Sequence, residues 1–163
     1  MKLKCHLSIY IMLSGFLFGL DQILKYVART NPEWIGYIWR PWIGWEYFAN
    51  TGIAFSIPVP NWLVIGITPI LILLLLFWFK KLFAHVSPFG PAQGKLNVYH
   101  LSLSLILFGA LSNYIDRVLF GATIDYIRLF TGVINLADEM IVGGVLLLIF
   151  ATKKNKCNVD LKT

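Results

Sequence analysis

From Gly109 to Asp138 the chain reads GALSNYIDRVLFGATIDYIRLFTGVINLAD, with three aspartates, two arginines and two asparagines set between segments otherwise fit for lipid. Ionisable side chains at the edge of a bilayer are costly, which makes them functional candidates by default. A fourth aspartate, Asp21, closes an apolar run near the N-terminus. Such a set of carboxyls can hydrolyse a peptide bond. Two aspartates held close cannot both ionise, so they share a proton. The charged one activates water as general base; the neutral one polarises a carbonyl and then donates to the leaving amine. No covalent intermediate is needed, and dry surroundings help keep one acid neutral.

Apolar segments must position these residues. The 163 residues are 58% hydrophobic and only 13% charged, with a mean hydropathy of +0.71, against roughly 25% charged for a soluble domain. The length allows a single integral-membrane domain over 1–163. Four spans are expected, at about 7–24, 62–79, 98–114 and 136–150. The first has a basic start and an apolar run like a signal peptide, but no small-x-small cleavage site follows, and Asp21, Gln22 and Lys25 close it. Between the first two spans lie Trp34, Trp39, Trp42 and Trp45, suited to anchoring at the membrane interface. The aromatic and branched stretch from Trp45 to Ile57, with Gly52 in its middle, predicts a short strand pair on the membrane surface. Phe83 to Leu96, with Pro88, Gly90, Pro91 and Gly94, is expected to be loop. Val118 to Val133 is expected to be mixed loop with a short surface helix. The fold class is therefore an all-α transmembrane bundle of four helices carrying a small extracytoplasmic β-sheet and a short surface helix.

Four spans put both termini on one side. That side and the middle loop hold nine Lys and Arg; the other side holds five. The positive-inside rule then places both termini in the cytoplasm. Seven of the eight acids fall at or beyond the outer face, and only Asp160 lies inside. The basic residues mark segment ends rather than a stripe for nucleic acid, and none is expected as a partner. His6, His85, His100, Cys5 and Cys157 all map to the cytoplasmic side, so a His or Cys zinc site at the acids is not expected, nor a disulfide in that reducing compartment. The same absence removes a Ser-His triad. A Ser-Lys pair drawn from Ser56 or Ser112 with Lys25 stays open. A small membrane carrier using the acids as a proton relay is the rival class, but relays need polar groups across the membrane, and the inner halves of the spans lack carboxylates. A structural or assembly protein is the third class.

Each acid also has an ordinary reading. Asp21 and Lys25, four apart on one helix face, can be a charge pair at a helix end or a substrate-binding pair. Asp116 can pair with Arg117. Asp138, three residues after Asn135 and followed by Glu139, fits a capped helix start. Asp125 has no obvious partner among Ile124, Tyr126 and Ile127. On these grounds alone the catalytic two among the four stay open, with a slight lean to Asp125.

Five motifs, in order along nearly the whole chain, resemble those of the lipoprotein (type II) signal peptidases. Asp21-Gln22-x-x-Lys25 is similar to the family's first motif, and Asn50-Thr51-Gly52-Ile53-Ala54-Phe55 to its N-x-G-x-A-F. Gly109-Ala110-Leu111-Ser112-Asn113-x-x-Asp116-Arg117 resembles G-A-x-x-N-x-x-D-R. Ile124-Asp125-Tyr126-Ile127 and Asn135-Leu136-Ala137-Asp138 resemble V-D-F-hydrophobic and N-x-A-D. The resemblance implies a metal- and cofactor-free aspartic endopeptidase with Asp125 and Asp138 as the catalytic pair. It implies that Asp21, Lys25, Asn50, Gly52, Asn113, Arg117 and Asn135 line the substrate and inhibitor pocket, and that Asp116 and Ala137 are structural. The implied substrates are bacterial prolipoproteins, cut just before a diacylglyceryl-modified cysteine. The implied setting is the bacterial inner membrane, in contact with lipid, with the protein a monomer and its site near the outer leaflet. Globomycin-type cyclic peptides are the implied inhibitors. Ser112 stands where the family commonly has Gly, Ile134 where it often has Phe, and Ile53 where a small residue is frequent; these bear on pocket shape.

Overall fold

The computed structural model describes the backbone of residues 2–53, 57–84 and 93–159, and side chains at 7–53, 57–81 and 97–152. Four long helices and two strand pairs follow one another in the order α1 (Lys2–Thr30), β1 (Gly36–Trp39), β2 (Ile43–Asn50), α2 (Asn61–Ala84), α3 (Gln93–Phe120), β3 (Thr123–Leu129), β4 (Gly132–Ile134) and α4 (Leu136–Val159). The strands form one antiparallel sheet in the order β1-β2-β3-β4. Among the described residues three helices are long and apolar enough to cross a membrane: Leu7–Thr30, Asn61–Lys81 and Asn97–Phe120.

The distribution of polarity is inverted relative to a soluble protein. Met12, Phe16, Leu73 and Phe77 are each 66% exposed or more, whereas Ser14, Asp21, Lys25, Ser102 and Ser112 are buried. An apolar exterior around a polar interior fits hydrocarbon as the surrounding solvent. Helix contacts use small residues. A Cβ on Gly109 would stand 2.6 Å from the Ala137 carbonyl oxygen, and one on Gly144 2.8 Å from the Ser102 carbonyl oxygen. These two glycines let α3 and α4 approach backbone to backbone. Ser14 Oγ donates to Ser104 Oγ at 2.9 Å, joining α1 to α3 in the apolar region.

The helices outrun the expected spans. Residues 25–30 continue α1, and 115–120 continue α3. Asp21, Lys25, Asn113 and Asp116 do not end a helix; they turn inward to face one another, so the apolar run stops while the backbone hydrogen bonding goes on. α3 stops at Gly121, whose φ of 75° is the left-handed conformation of a helix cap, with its N–H bonded to the Arg117 carbonyl at 3.1 Å. The expected loop at 83–96 is likewise shortened. Phe83 and Ala84 end α2, and Gln93 to Leu96 begin α3.

Two further expectations fail. The strand pair does not span 45–57. β2 ends at Asn50 and pairs with β1 before it and with β3 after it, Phe48 opposite Asp125 and Asn50 opposite Thr123. The surface helix is not found: 118–120 end α3, and 123–134 form the β3–β4 hairpin. Thr123-Ile-Asp-Tyr-Ile is rich in β-branched and aromatic residues, which favour a strand. One sheet face packs on the end of α1, where Ala28, Ile124 and Tyr126 are buried with Trp45, Tyr47 and Leu136 against them.

Candidate active site

The acids gather where the sheet meets the ends of α1 and α3 and the start of α4. Asp125 projects from β3 and is 1% exposed. Asn135 Nδ2 donates to its Oδ1 at 2.6 Å, and Asn50 Nδ2 to its Oδ2 at 3.1 Å. Asp138 sits in the first turn of α4, half-buried. Asn113 Nδ2 donates to its Oδ1 at 2.8 Å. Asn135 caps α4: its Oδ1 accepts the Asp138 N–H at 2.9 Å, and its own N–H reaches back to Asp138 Oδ2 at 3.4 Å. This reciprocal pair is a capping box. Asn135 therefore does two jobs, starting the helix that presents Asp138 and orienting Asp125. Burial first, and the charge of Asp138 second, push the Asp125 carboxyl up to about 7, against the amide hydrogen bonds from Asn50 and Asn135 and the charge of Lys25. A carboxyl so placed holds its proton near neutrality beside a second carboxyl.

A second group of residues fixes the amides. Gly52 N–H donates to Asn50 Oδ1 at 3.0 Å, and the Gly52 carbonyl accepts from Arg117 Nη2. Arg117 thus steers Asp125 through Gly52 and Asn50. Below them lies a buried polar hub. Lys25 Nζ stands 2.9 Å from both Asp21 Oδ2 and Asp116 Oδ2, and donates to Asn113 Oδ1 at 2.8 Å and to Ser112 Oγ at 3.2 Å. Asp21 Oδ1 accepts from the Tyr126 hydroxyl at 2.8 Å and from the Ala137 N–H in the first turn of α4 at 3.2 Å. Ser112 Oγ donates to Asp21 Oδ2. Asp116 Oδ2 takes the Ile124 N–H at 3.1 Å, tying α3 to the start of β3.

Two of the expected pocket residues lie deeper than the rest. Asp21 is 0% and Lys25 2% exposed, with partners on both carboxylate oxygens and around the ammonium. In this structure they support the site from beneath. Asp116 pairs with Lys25, not with its neighbour Arg117. Ala137 is fully buried, its carbonyl against Gly109 and its N–H on Asp21. Asn50, Gly52, Asn113, Arg117 and Asn135 all converge on the Asp125–Asp138 pair. Ala54, Phe55 and Ser56 lie outside the described residues, as do the side chains of Cys5, Cys157, His6 and His85. His100 lies sixteen residues before Asp116 on α3, roughly 24 Å along the helix.

Sequence reasoning missed Tyr126. Its hydroxyl donates to Asp21 and accepts the Leu136 N–H at 3.1 Å, and its ring lies 5.1 Å from that of Trp45. Burial and the adjacent Asp21 carboxylate raise its phenol well above the ordinary value, so it stays neutral. Strand alternation was the available signal: Tyr126 must project opposite to Asp125, toward the helices.

A cavity of about 270 Å³ opens from this cluster between α2, α3 and α4, walled by Val64, Leu71, Leu107, Ala110 and Ile141, with Asn113 and Arg117 at its polar end. Arg117 Nη1 is buried and meets no acceptor among the described residues.

A family model described as signal peptidase (SPase) II matches residues 13–154. The lipoprotein signal peptidase of Moorella thermoacetica is 32% identical over 143 residues, covering 85% of this chain and 89% of that protein. The one from Streptococcus pneumoniae is 29% identical over 164 residues, covering 97% and 99%. Among solved structures, one described as a bacterial membrane enzyme at 2.3 Å resolution superposes with a TM-score of 0.78 at 28% identity, covering 93% of this chain and 91% of that one. A second, described in the same words at 1.9 Å, gives a TM-score of 0.70 at 27% identity, covering 89% and 92%. The chain belongs to the signal peptidase II family.

Proposed function

We propose that this chain is a membrane aspartic endopeptidase that removes the signal peptide from bacterial prolipoproteins, cutting just before the diacylglyceryl-modified cysteine. The observation that carries the reading is the Asp125–Asp138 pair, held by Asn50, Asn113 and Asn135 at the mouth of an apolar groove. One proton resides on the pair near neutral pH. The charged carboxylate takes a proton from water, which attacks the scissile carbonyl. The neutral carboxyl donates first to that carbonyl oxygen and then to the leaving amine. The proton belongs to the pair rather than to either residue.

The groove is suited to an acyl chain or to the apolar stretch of a signal peptide, and the free Arg117 Nη1 is a donor for an ester or peptide carbonyl entering at its polar end. α4 is the fourth span. Both termini lie in the cytoplasm and the dyad near the outer leaflet of the inner membrane, a placement supported by the nine-to-five basic split. The enzyme works as a monomer without metal.

The test is cleavage of a diacylglyceryl-modified prolipoprotein by the purified protein, with products read by mass spectrometry. Cleavage before the modified cysteine is expected, blocked by a globomycin-type cyclic peptide and untouched by EDTA or phenanthroline. Asp125→Asn and Asp138→Asn should each lower turnover at least about 10²- to 10⁴-fold while the protein stays folded. Near-normal turnover in either variant would remove that residue from the pair, and activity restored by zinc after chelation would exclude the aspartic mechanism.

A further inference from the structure

A second cavity, of about 290 Å³, lies on the other side of the buried hub, between the last turns of α1 and α3. Gln22, Lys25, Arg29, Asp116 and Phe120 line it. Its inner wall carries an unspent acceptor. Asp116 is 1% exposed, its Oδ2 is taken by Lys25 and Ile124, and its Oδ1 meets no donor among the described residues. In the Asp21–Lys25–Asp116 cluster the Lys25 ammonium meets only Oδ2 of Asp116, so Oδ1 is left to accept from a donor that enters the cavity. Gln22 spends its amide N–H groups on Ser112, leaving its carbonyl oxygen as a second acceptor. At the rim the exposed Arg29 guanidinium is held 4.0 Å above the Phe120 ring. Tyr26 and Leu119, which also line the cavity, and Ile23 on the same helix end are each at least 60% exposed, an apolar skirt. These are the final turns of two helices fit to span a membrane, so the cavity sits at headgroup depth.

We propose that this cavity binds the headgroup of a phospholipid bearing a primary ammonium. The ammonium donates to Asp116 Oδ1 and to the Gln22 carbonyl, the phosphodiester meets Arg29, and the acyl chains run down the apolar skirt. A trimethylammonium headgroup has no N–H to give to these acceptors. The site rests on the membrane-spanning reading of α1 and α3, and not on the peptidase reaction.

Native mass spectrometry of the full chain released from detergent, titrated with phosphatidylethanolamine, its N-methyl and N,N-dimethyl forms and phosphatidylcholine of matched acyl chains, tests it. Retention should fall along that series, phosphatidylethanolamine binding about tenfold tighter than phosphatidylcholine, as one charge-assisted hydrogen bond would give. Gln22→Met and Asp116→Asn should each shrink that preference, and Arg29→Gln should weaken all four lipids alike. If Asp116→Asn does not fold, Gln22→Met decides. Equal retention across the series, or a preference unchanged in Gln22→Met, would overturn the site. Because the readout is lipid binding, either result leaves the cleavage assay to stand or fall separately.

Discussion

Asp125 is held on a strand, out of water, with an amide on each oxygen and a second carboxylate nearby. Its value of about 7 lies above the ordinary 3.8. Between those values the folded protein keeps a proton that the unfolded chain has lost, so stability falls as pH rises through that window. Asp125→Asn removes this penalty. Thermal melts in detergent should therefore find the variant more stable than the parent at about pH 8, by on the order of 1–3 kcal/mol, with the gap closing below about pH 4. Coincident melting curves at both pH values would show that the carboxyl is not held above its ordinary range. Turnover of the parent should decline on the alkaline side of about 7, where the pair loses its shared proton. Ser112 is the second residue with a clear expectation. It gives one hydrogen bond to Asp21 and receives others from Gln22 and Lys25. Ser112→Ala should cost about 1–3 kcal/mol of stability, because it strips a buried partner from charged groups. A melt unchanged from the parent would mean that water or a neighbouring group takes its place.

At the scale of elements, the site depends on how closely α4 lies against α3. A Cβ at Gly109 meets backbone, the Ala137 carbonyl, and Ala137 is one residue from Asp138. Gly109→Val should push the start of α4 away, costing about 1–3 kcal/mol or more and most of the turnover. Gly143→Ala is the control, since nothing stands within 4 Å of its added carbon; a melt and turnover near the parent's are expected there. If Gly109→Val keeps full activity, the α3–α4 spacing does not set the dyad. The capped start of α4 was legible in Asn135-x-x-Asp138, because capping is local. The helix ends were not. Polar residues at Asp21, Lys25 and Asp116 look like the edge of a span until the inward face of each helix is known. The sheet was misread for a related reason. The partner of β2 is β3, and the Asn50–Asp125 contact crosses 75 positions of sequence. Strand propensity in 123–129 was present, but its pairing edge lies far along the chain. The apparent lack of a partner for Asp125 had the same origin: both its amides come from other elements.

At the scale of the molecule, an apolar exterior is combined with a strongly one-sided distribution of acids. The sheet, the dyad and the buried hub all lie at one end of the helices, and the two helix spans Leu7–Thr30 and Asn97–Phe120 terminate there. Orientation is then a single choice between two, set by where the lysines fall. Lys80, Lys81 and Lys95 flank the middle loop, and Lys153, Lys154 and Lys156 follow the fourth apolar run, all at the end away from the dyad. The positive-inside rule acts on such short segments near span ends. In a background with Cys5 and Cys157 replaced by Ser, a cysteine at Thr131, an exposed position in the β3–β4 turn, should react with a membrane-impermeant thiol reagent added to intact cells or spheroplasts. A cysteine between residues 85 and 92 should react only after the membrane is permeabilised. Both proteins must retain cleavage activity, so that the labelled molecule is the folded one. The reverse pattern would put the dyad on the cytoplasmic face, where a substrate exported before processing could not reach it.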